Sequence, residues 1–105
     1  MNPKVLKVSD SDRGRYIFYC PGCGENHYFD TIGKSPVWCF NGNEISPIVF
    51  PSIISYDINK NPVCHLFIRN GRIQYLKDCI HSMRGGTIEM TDMNEDNEFN
   101  KGEIK

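Results

Sequence analysis

Five cysteines and three histidines in this 105-residue chain fall mainly into a Cys-x-x-Cys knuckle (Cys20-Pro21-Gly22-Cys23-Gly24), an adjacent pair (Cys64-His65) and a Cys-x-His pair (Cys79-Ile80-His81). A chain of this length folds around one core and buries a modest share of its surface, so a clasp between distant segments weighs heavily in its stability. Two thiolates held on one tight turn make half of a tetrahedral site. Zinc is the usual occupant of thiolate and imidazole sets. A redox Cys-x-x-Cys starts a helix behind a buried strand, whereas here Gly24-Glu25-Asn26 runs into His27-Tyr28-Phe29, which does not pattern as helix. An odd cysteine count fits free thiols in a reducing compartment better than a disulfide framework.

The hydrophobic pattern predicts a mostly β fold: a small antiparallel β domain with a zinc knuckle and little helix. Residues 3 to 14 read as a short edge strand and a loop. Arg15 to Tyr19 reads as a strand, and His27-Tyr28-Phe29 as its returning partner. Val37 to Phe40 is a third short strand ending at the turn Asn41-Gly42-Asn43. The apolar segment Ile45 to Ile54 is broken by Pro47 and Pro51, which predicts extended chain at a sheet edge or across a cleft rather than a central strand. The strongest hairpin signal is Val63 to Lys77 around Asn70-Gly71, the pair favoured in a two-residue type I′ turn. That turn sets Arg69 opposite Arg72 and Leu66 opposite Tyr75. Alternation then places Cys64, Leu66, Ile68, Ile73, Tyr75 and Cys79 on one face and His65, Phe67, Leu76 and Asp78 on the other. Residues 79 to 84 are expected to form one helical turn capped by Asp78, with Thr87 to Met90 a closing strand. The zinc-binding β domain is expected over residues 1–91 and a disordered acidic tail over 92–105.

This register separates the adjacent Cys64 and His65. The expected metal ligands are Cys20, Cys23, Cys64 and Cys79, with His81 able to replace Cys64 or Cys79. A site closed by such ligands implies structural zinc with no catalytic water. Cys39 reads as a small buried core residue, and His27 as a packed or surface histidine.

The other hairpin face offers His65 and Asp78, and Pro51-Ser52-Ile53 offers a hydroxyl. Serine becomes a nucleophile when an imidazole accepts its proton and a carboxylate fixes that imidazole's tautomer. On residue types alone the set is unspecific. The run Cys20-Pro21-Gly22-Cys23-Gly24, Trp38, Asn41-Gly42-Asn43, Pro47, Pro51-Ser52-Ile53, Cys64-His65-Leu66-Phe67-Ile68, Gly71-Arg72-Ile73 and Asp78-Cys79-Ile80-His81 resembles a family of small phage and prophage proteins. Its members often carry the label ammonia monooxygenase; the chain's size and lack of a copper-type histidine cluster argue against that activity. The sequence is also similar to the presumed peptidase of bacterial ubiquitin-like conjugation operons, which shares a cysteine-rich knuckle, a Pro-Ser-Ile segment and a later histidine. That resemblance implies Ser52 as nucleophile and His65 as general base. Strand parity adds Asp78 as the residue that orients His65.

The function expected is therefore a zinc-stabilised serine hydrolase, a peptidase acting on a flexible protein tail. The alternative is a non-catalytic zinc-ribbon-like phage module that binds a host protein or nucleic acid through Tyr16, Trp38, Tyr75 and arginines. Nucleic acid is the weaker partner: net charge is −1, and residues 1–91 hold eight acids against ten bases, with no concentrated basic face. No apolar run suits a signal peptide or a membrane span, which predicts a cytoplasmic protein of the bacterial host cell with a protein or peptide partner.

Overall fold

The computed structural model describes residues 2–93. Eight strands run through them: β1 (Leu6–Lys7), β2 (Tyr16–Cys20), β3 (Glu25–Phe29), β4 (Cys39–Phe40), β5 (Val49–Tyr56), β6 (Pro62–Arg69), β7 (Arg72–Tyr75) and β8 (Thr87–Glu89). They form two antiparallel meanders, a three-stranded sheet β1-β2-β3 and a five-stranded sheet β4-β5-β6-β7-β8. Neighbours in sequence are neighbours in space, so short turns specify most of the topology. Phe18 and Phe29 of the first sheet meet Val49, Leu66, Ile68 and Ile73 of the second in one apolar cluster. Burying each such side chain contributes about 2 kcal/mol.

The β6–β7 hairpin has the register its turn predicts, with Leu66 opposite Tyr75, Ile68 opposite Ile73 and Arg69 opposite Arg72. Asn70 (φ +51°) and Gly71 (φ +76°) both adopt positive φ, as a type I′ turn requires. Cys64, Leu66, Ile68, Ile73, Tyr75 and Cys79 are all buried. The opposite face carries the partly exposed His65, Phe67 and Leu76 and the exposed Asp78.

Two local expectations are corrected. No helix forms at residues 79 to 84. Cys79 and Arg84 instead donate to Leu76 and His81 in successive turns, and the Asp78 carboxylate is taken by His65 rather than by a helix N-terminus. The proline-broken segment is also not simply an edge, because β5 lies between β4 and β6. Prolines are tolerated there because the ladder is interrupted where Pro51 falls. Val49 pairs with Ile68 and Ile53 with Leu66, so Phe50, Pro51 and Ser52 face Phe67 alone. On its other side β5 pairs with β4 only through Val49 and Phe50. From Pro51 to Tyr56 that side is an open edge, which preserves part of the expectation.

Asp92 pairs with Lys4, and the backbone N–H of the buried Met93 donates to Pro3 O at 2.7 Å. The rest of the expected tail, residues 94–105, lies outside the described residues.

One ion cluster fastens the loop before β2 to the end of β3. The buried Asp30 accepts from Arg13 Nε at 2.7 Å and from Arg15 Nε and Nη2 at 2.7 and 3.2 Å. Arg15 and then Arg13 hold the Asp30 carboxyl below its ordinary value. The unfolded chain therefore binds more protons in acid, and the stability from this cluster is full above the ordinary carboxylate range and lost as pH falls through the lowered value. Asp30→Asn should destabilise the protein by about 2 kcal/mol near neutral pH and flatten the acid limb of the stability curve, measured by denaturant unfolding against pH. An unchanged acid limb would contradict this role.

Candidate functional site

The interrupted ladder of β5 brings Ser52 to His65. Ile54 sits directly opposite His65, and Ser52 is two residues earlier on the same strand. Such a diagonal position is within reach of a long side chain. Ser52 Oγ lies 2.7 Å from His65 Nε2, and His65 Nδ1 lies 3.0 Å from Asp78 Oδ2. In the tautomer that satisfies both contacts, Nδ1–H donates to the carboxylate and Nε2 accepts from the serine hydroxyl. The His65 side chain is 22% exposed and Asp78 66%, so the dyad is sheltered and its orienting carboxylate is open to water. Trp38 Nε1 donates to Ser52 O at 3.1 Å, fixing the serine's backbone from the open side. The structure thus brings together all three side chains expected from the sequence for hydrolysis.

The reverse face carries the sulfurs. Donor atoms of Cys20, Cys23, His27 and Cys64 all lie within 4.8 Å of one another. Ligands around a tetrahedral zinc with bonds of roughly 2.0–2.3 Å stand roughly 3.3–3.8 Å apart, so small adjustments let these four hold a metal ion. Two observations support the fit. His27 is fully buried, and neither of its ring nitrogens has a hydrogen-bond partner, an arrangement that a metal ligand resolves. Contact with Cys23 and then Cys64 pulls the Cys20 thiol below its ordinary value, while Cys20 pushes Cys23 up to about 12 and pushes Cys64 upward as well. A cation bound among them would favour ionisation of all three sulfurs.

The other expected ligands form a second group that shares Cys64. Cys64, Cys79 and His81 also have donor atoms within 4.8 Å, with Cys64 Sγ 3.4 Å from His81 Nε2 and 4.0 Å from Cys79 Sγ. Cys79 Sγ is further engaged with the backbone of His65, 3.2 Å from both its nitrogen and its oxygen. The His81 ring packs edge-on against Tyr75 and against the knuckle. A Cβ on Gly22 would lie 2.4 Å from that ring, so a larger residue at this position of the Cys-x-x-Cys turn would displace His81. Tyr75 Oη accepts from Gly22 N at 3.2 Å and lies 3.1 Å from Cys20 Sγ, tying the knuckle to β7.

His27, read from the sequence as a packed or surface histidine, is buried, and its place beside the knuckle sulfurs follows from strand parity. Cys20 pairs with Glu25 and Phe18 with His27, so alternation puts His27 on the face of Cys20. The parity rule applied to the Asn70-Gly71 hairpin gives this result when applied to the knuckle hairpin. Cys39, expected in the core, is exposed, because it pairs with the outward-facing Phe50. Tyr75, considered as a surface contact, is buried.

A β domain that joins a serine, an imidazole and a carboxylate in sequence has the arrangement of a serine hydrolase. The chain belongs to the family described as bacterial ubiquitination-like system serine protease (BubE), whose model matches residues 1–76. That span includes Ser52, His65 and the Cys20, Cys23, His27 and Cys64 group, and ends just before Asp78. No curated protein and no solved structure gives a significant match. Among the described residues no helix is long and apolar enough to cross a membrane.

His27→Asn should lower the metal content of the purified protein, measured by plasma mass spectrometry, and lower its unfolding midpoint. Cys39→Ser should change neither. Full metal retention by His27→Asn would contradict the four-residue grouping.

Proposed function

We propose that this chain is a serine-type peptidase, stabilised by a structural zinc ion, that cleaves a flexible tail on a protein of a bacterial ubiquitination-like system. The observation that carries the reading is the 2.7 Å contact between Ser52 Oγ and His65 Nε2, in a histidine whose other nitrogen meets Asp78. The family description supports the same chemistry and the class of substrate.

In the proposed reaction Ser52 Oγ attacks the scissile carbonyl while His65 Nε2 takes its proton. His65 then delivers that proton to the leaving amine, and an acyl-serine remains. Water, deprotonated by His65, attacks the acyl group and restores the serine. Asp78 keeps Nδ1 protonated and steadies the imidazolium as it forms. Backbone amides near Ser52, where β5 departs from its ladder, are the candidates to stabilise the oxyanion. The open edge of β5 from Pro51 to Tyr56 suits an extended peptide, which can lie beside it as an added strand.

Zinc held by Cys20, Cys23, His27 and Cys64 would have a closed coordination sphere, contributing folding free energy on the order of 10 kcal/mol rather than a reactive water. The role of this chain's own residues is to anchor β6 from its buried side.

Ser52→Ala and His65→Ala should each lower peptide hydrolysis by a factor on the order of 10⁴ or more, with metal content and the circular dichroism spectrum unchanged for Ser52→Ala. Asp78→Asn should cost less, because water already reaches its exposed carboxylate. Normal tail cleavage by Ser52→Ala, followed by mass spectrometry of the product, would refute the proposal.

A further inference from the structure

A groove of about 710 Å³ opens beside Ser52, floored by β5 from Ser52 to Tyr56 and walled by Arg13, Arg15, Asp30 and Trp38. Its charge is unbalanced. Two guanidinium groups share the single carboxylate of Asp30, the only acid in the lining, so the wall carries a net positive charge. Asp30 is sunk below them with 6% of its side chain exposed, while Arg13 and Arg15 keep 33% and 31% open.

Both cations are held in place. Arg15 is fixed by its two-pronged contact with Asp30 and lies over the Tyr28 ring at 3.9 Å. Arg13 donates through Nη2 to Lys34 O at 2.6 Å and to Pro36 O at 3.3 Å, besides its contact with Asp30. A guanidinium carries five N–H donors, and the contacts named here leave Nη1 of each arginine to face other partners. Arg15 keeps an end-on pair, Nη1 with the second Nη2 hydrogen, and Arg13 keeps Nη1; donors fixed in this way suit a carboxylate, since little side-chain freedom is lost on binding.

We propose that Arg13 and Arg15 are specificity-determining residues that bind a carboxylate of the peptide lying in the Ser52 groove. The substrate class is therefore an acidic peptide segment, with the carboxylate supplied by an Asp or Glu side chain or by the chain's own C-terminus. This inference rests on the hydrolase reading for the chemistry, but the recognition step can be measured separately from it.

Internally quenched peptides should be compared in pairs that exchange Glu for Gln at one position at a time on both sides of the scissile bond, with free and amidated C-termini. The preferred carboxylate should raise kcat/KM about tenfold, mainly through KM, and the advantage should shrink from about 0.05 M to about 0.5 M salt. Loss confined to one Glu-to-Gln exchange identifies a side chain; loss on amidation identifies the terminus. Arg13→Gln and Arg15→Gln should each erode the preference, and Arg13→Lys and Arg15→Lys, which keep the charge beside Asp30 but lose the fixed Nη1 donors, should erode it in part. Equal cleavage of all peptide pairs overturns the inference and leaves the hydrolase intact. If the wild type cleaves none of them, the hydrolase reading fails. Calorimetric titration of the same peptides onto Ser52→Ala then decides recognition alone: tighter binding of the acidic members supports it, and equal binding refutes it.

Discussion

Side-chain alternation along β6 is the constraint on which the site depends. Cys64 and His65 are neighbours in the chain, and a β-strand sends them to opposite faces. Cys64 is buried against the knuckle sulfurs and His27, while His65 reaches Ser52 and Asp78 on the open side. The buried face therefore anchors the same stretch of backbone that carries the imidazole. Cys79 strengthens this coupling, since its sulfur touches the nitrogen and the oxygen of the His65 peptide units. One strand thus supports both groups of side chains.

The departure of β5 from regular pairing completes the arrangement. Three residues stand against Phe67 alone, which moves Pro51, unable to donate, out of the ladder and brings Ser52 within reach of His65. The same break coincides with the end of β4 pairing, so Ser52 sits where the sheet offers an open edge. Trp38, just before β4, holds the Ser52 carbonyl. The charged wall beyond it comes from the other sheet, through Arg13, Arg15 and Asp30.

Much of this was legible in the sequence wherever local chemistry sets geometry. Asn70-Gly71 fixed the hairpin register, which separated Cys64 from His65, and strand parity put Asp78 on the face of His65. The proline-broken segment holding Ser52 was identifiable as extended chain at an edge or across a cleft, but its position as the second strand of a sheet was not, because that depends on a bulge that only the pairing with β6 defines. The place of His27 beside the sulfurs is not visible in its spacing from Cys23; it follows from parity in the β2–β3 hairpin, where His27 lies opposite Phe18. Cys39 was misplaced because a two-residue strand gives too little pattern to tell its inner face from its outer one. The Arg13, Asp30 and Arg15 cluster joins a loop to the far end of a hairpin, so neither periodicity nor turn chemistry announces it.

The central claim is that the fold holds His65 against Ser52 closely enough to activate it. Labelling of the metal-replete protein with a fluorophosphonate, mapped by peptide mass spectrometry, tests this most directly. The account predicts modification of Ser52 over the other serines, lost in His65→Ala while the fold is retained. Absence of labelling at Ser52 in the folded protein, or equal labelling after His65→Ala, would contradict it.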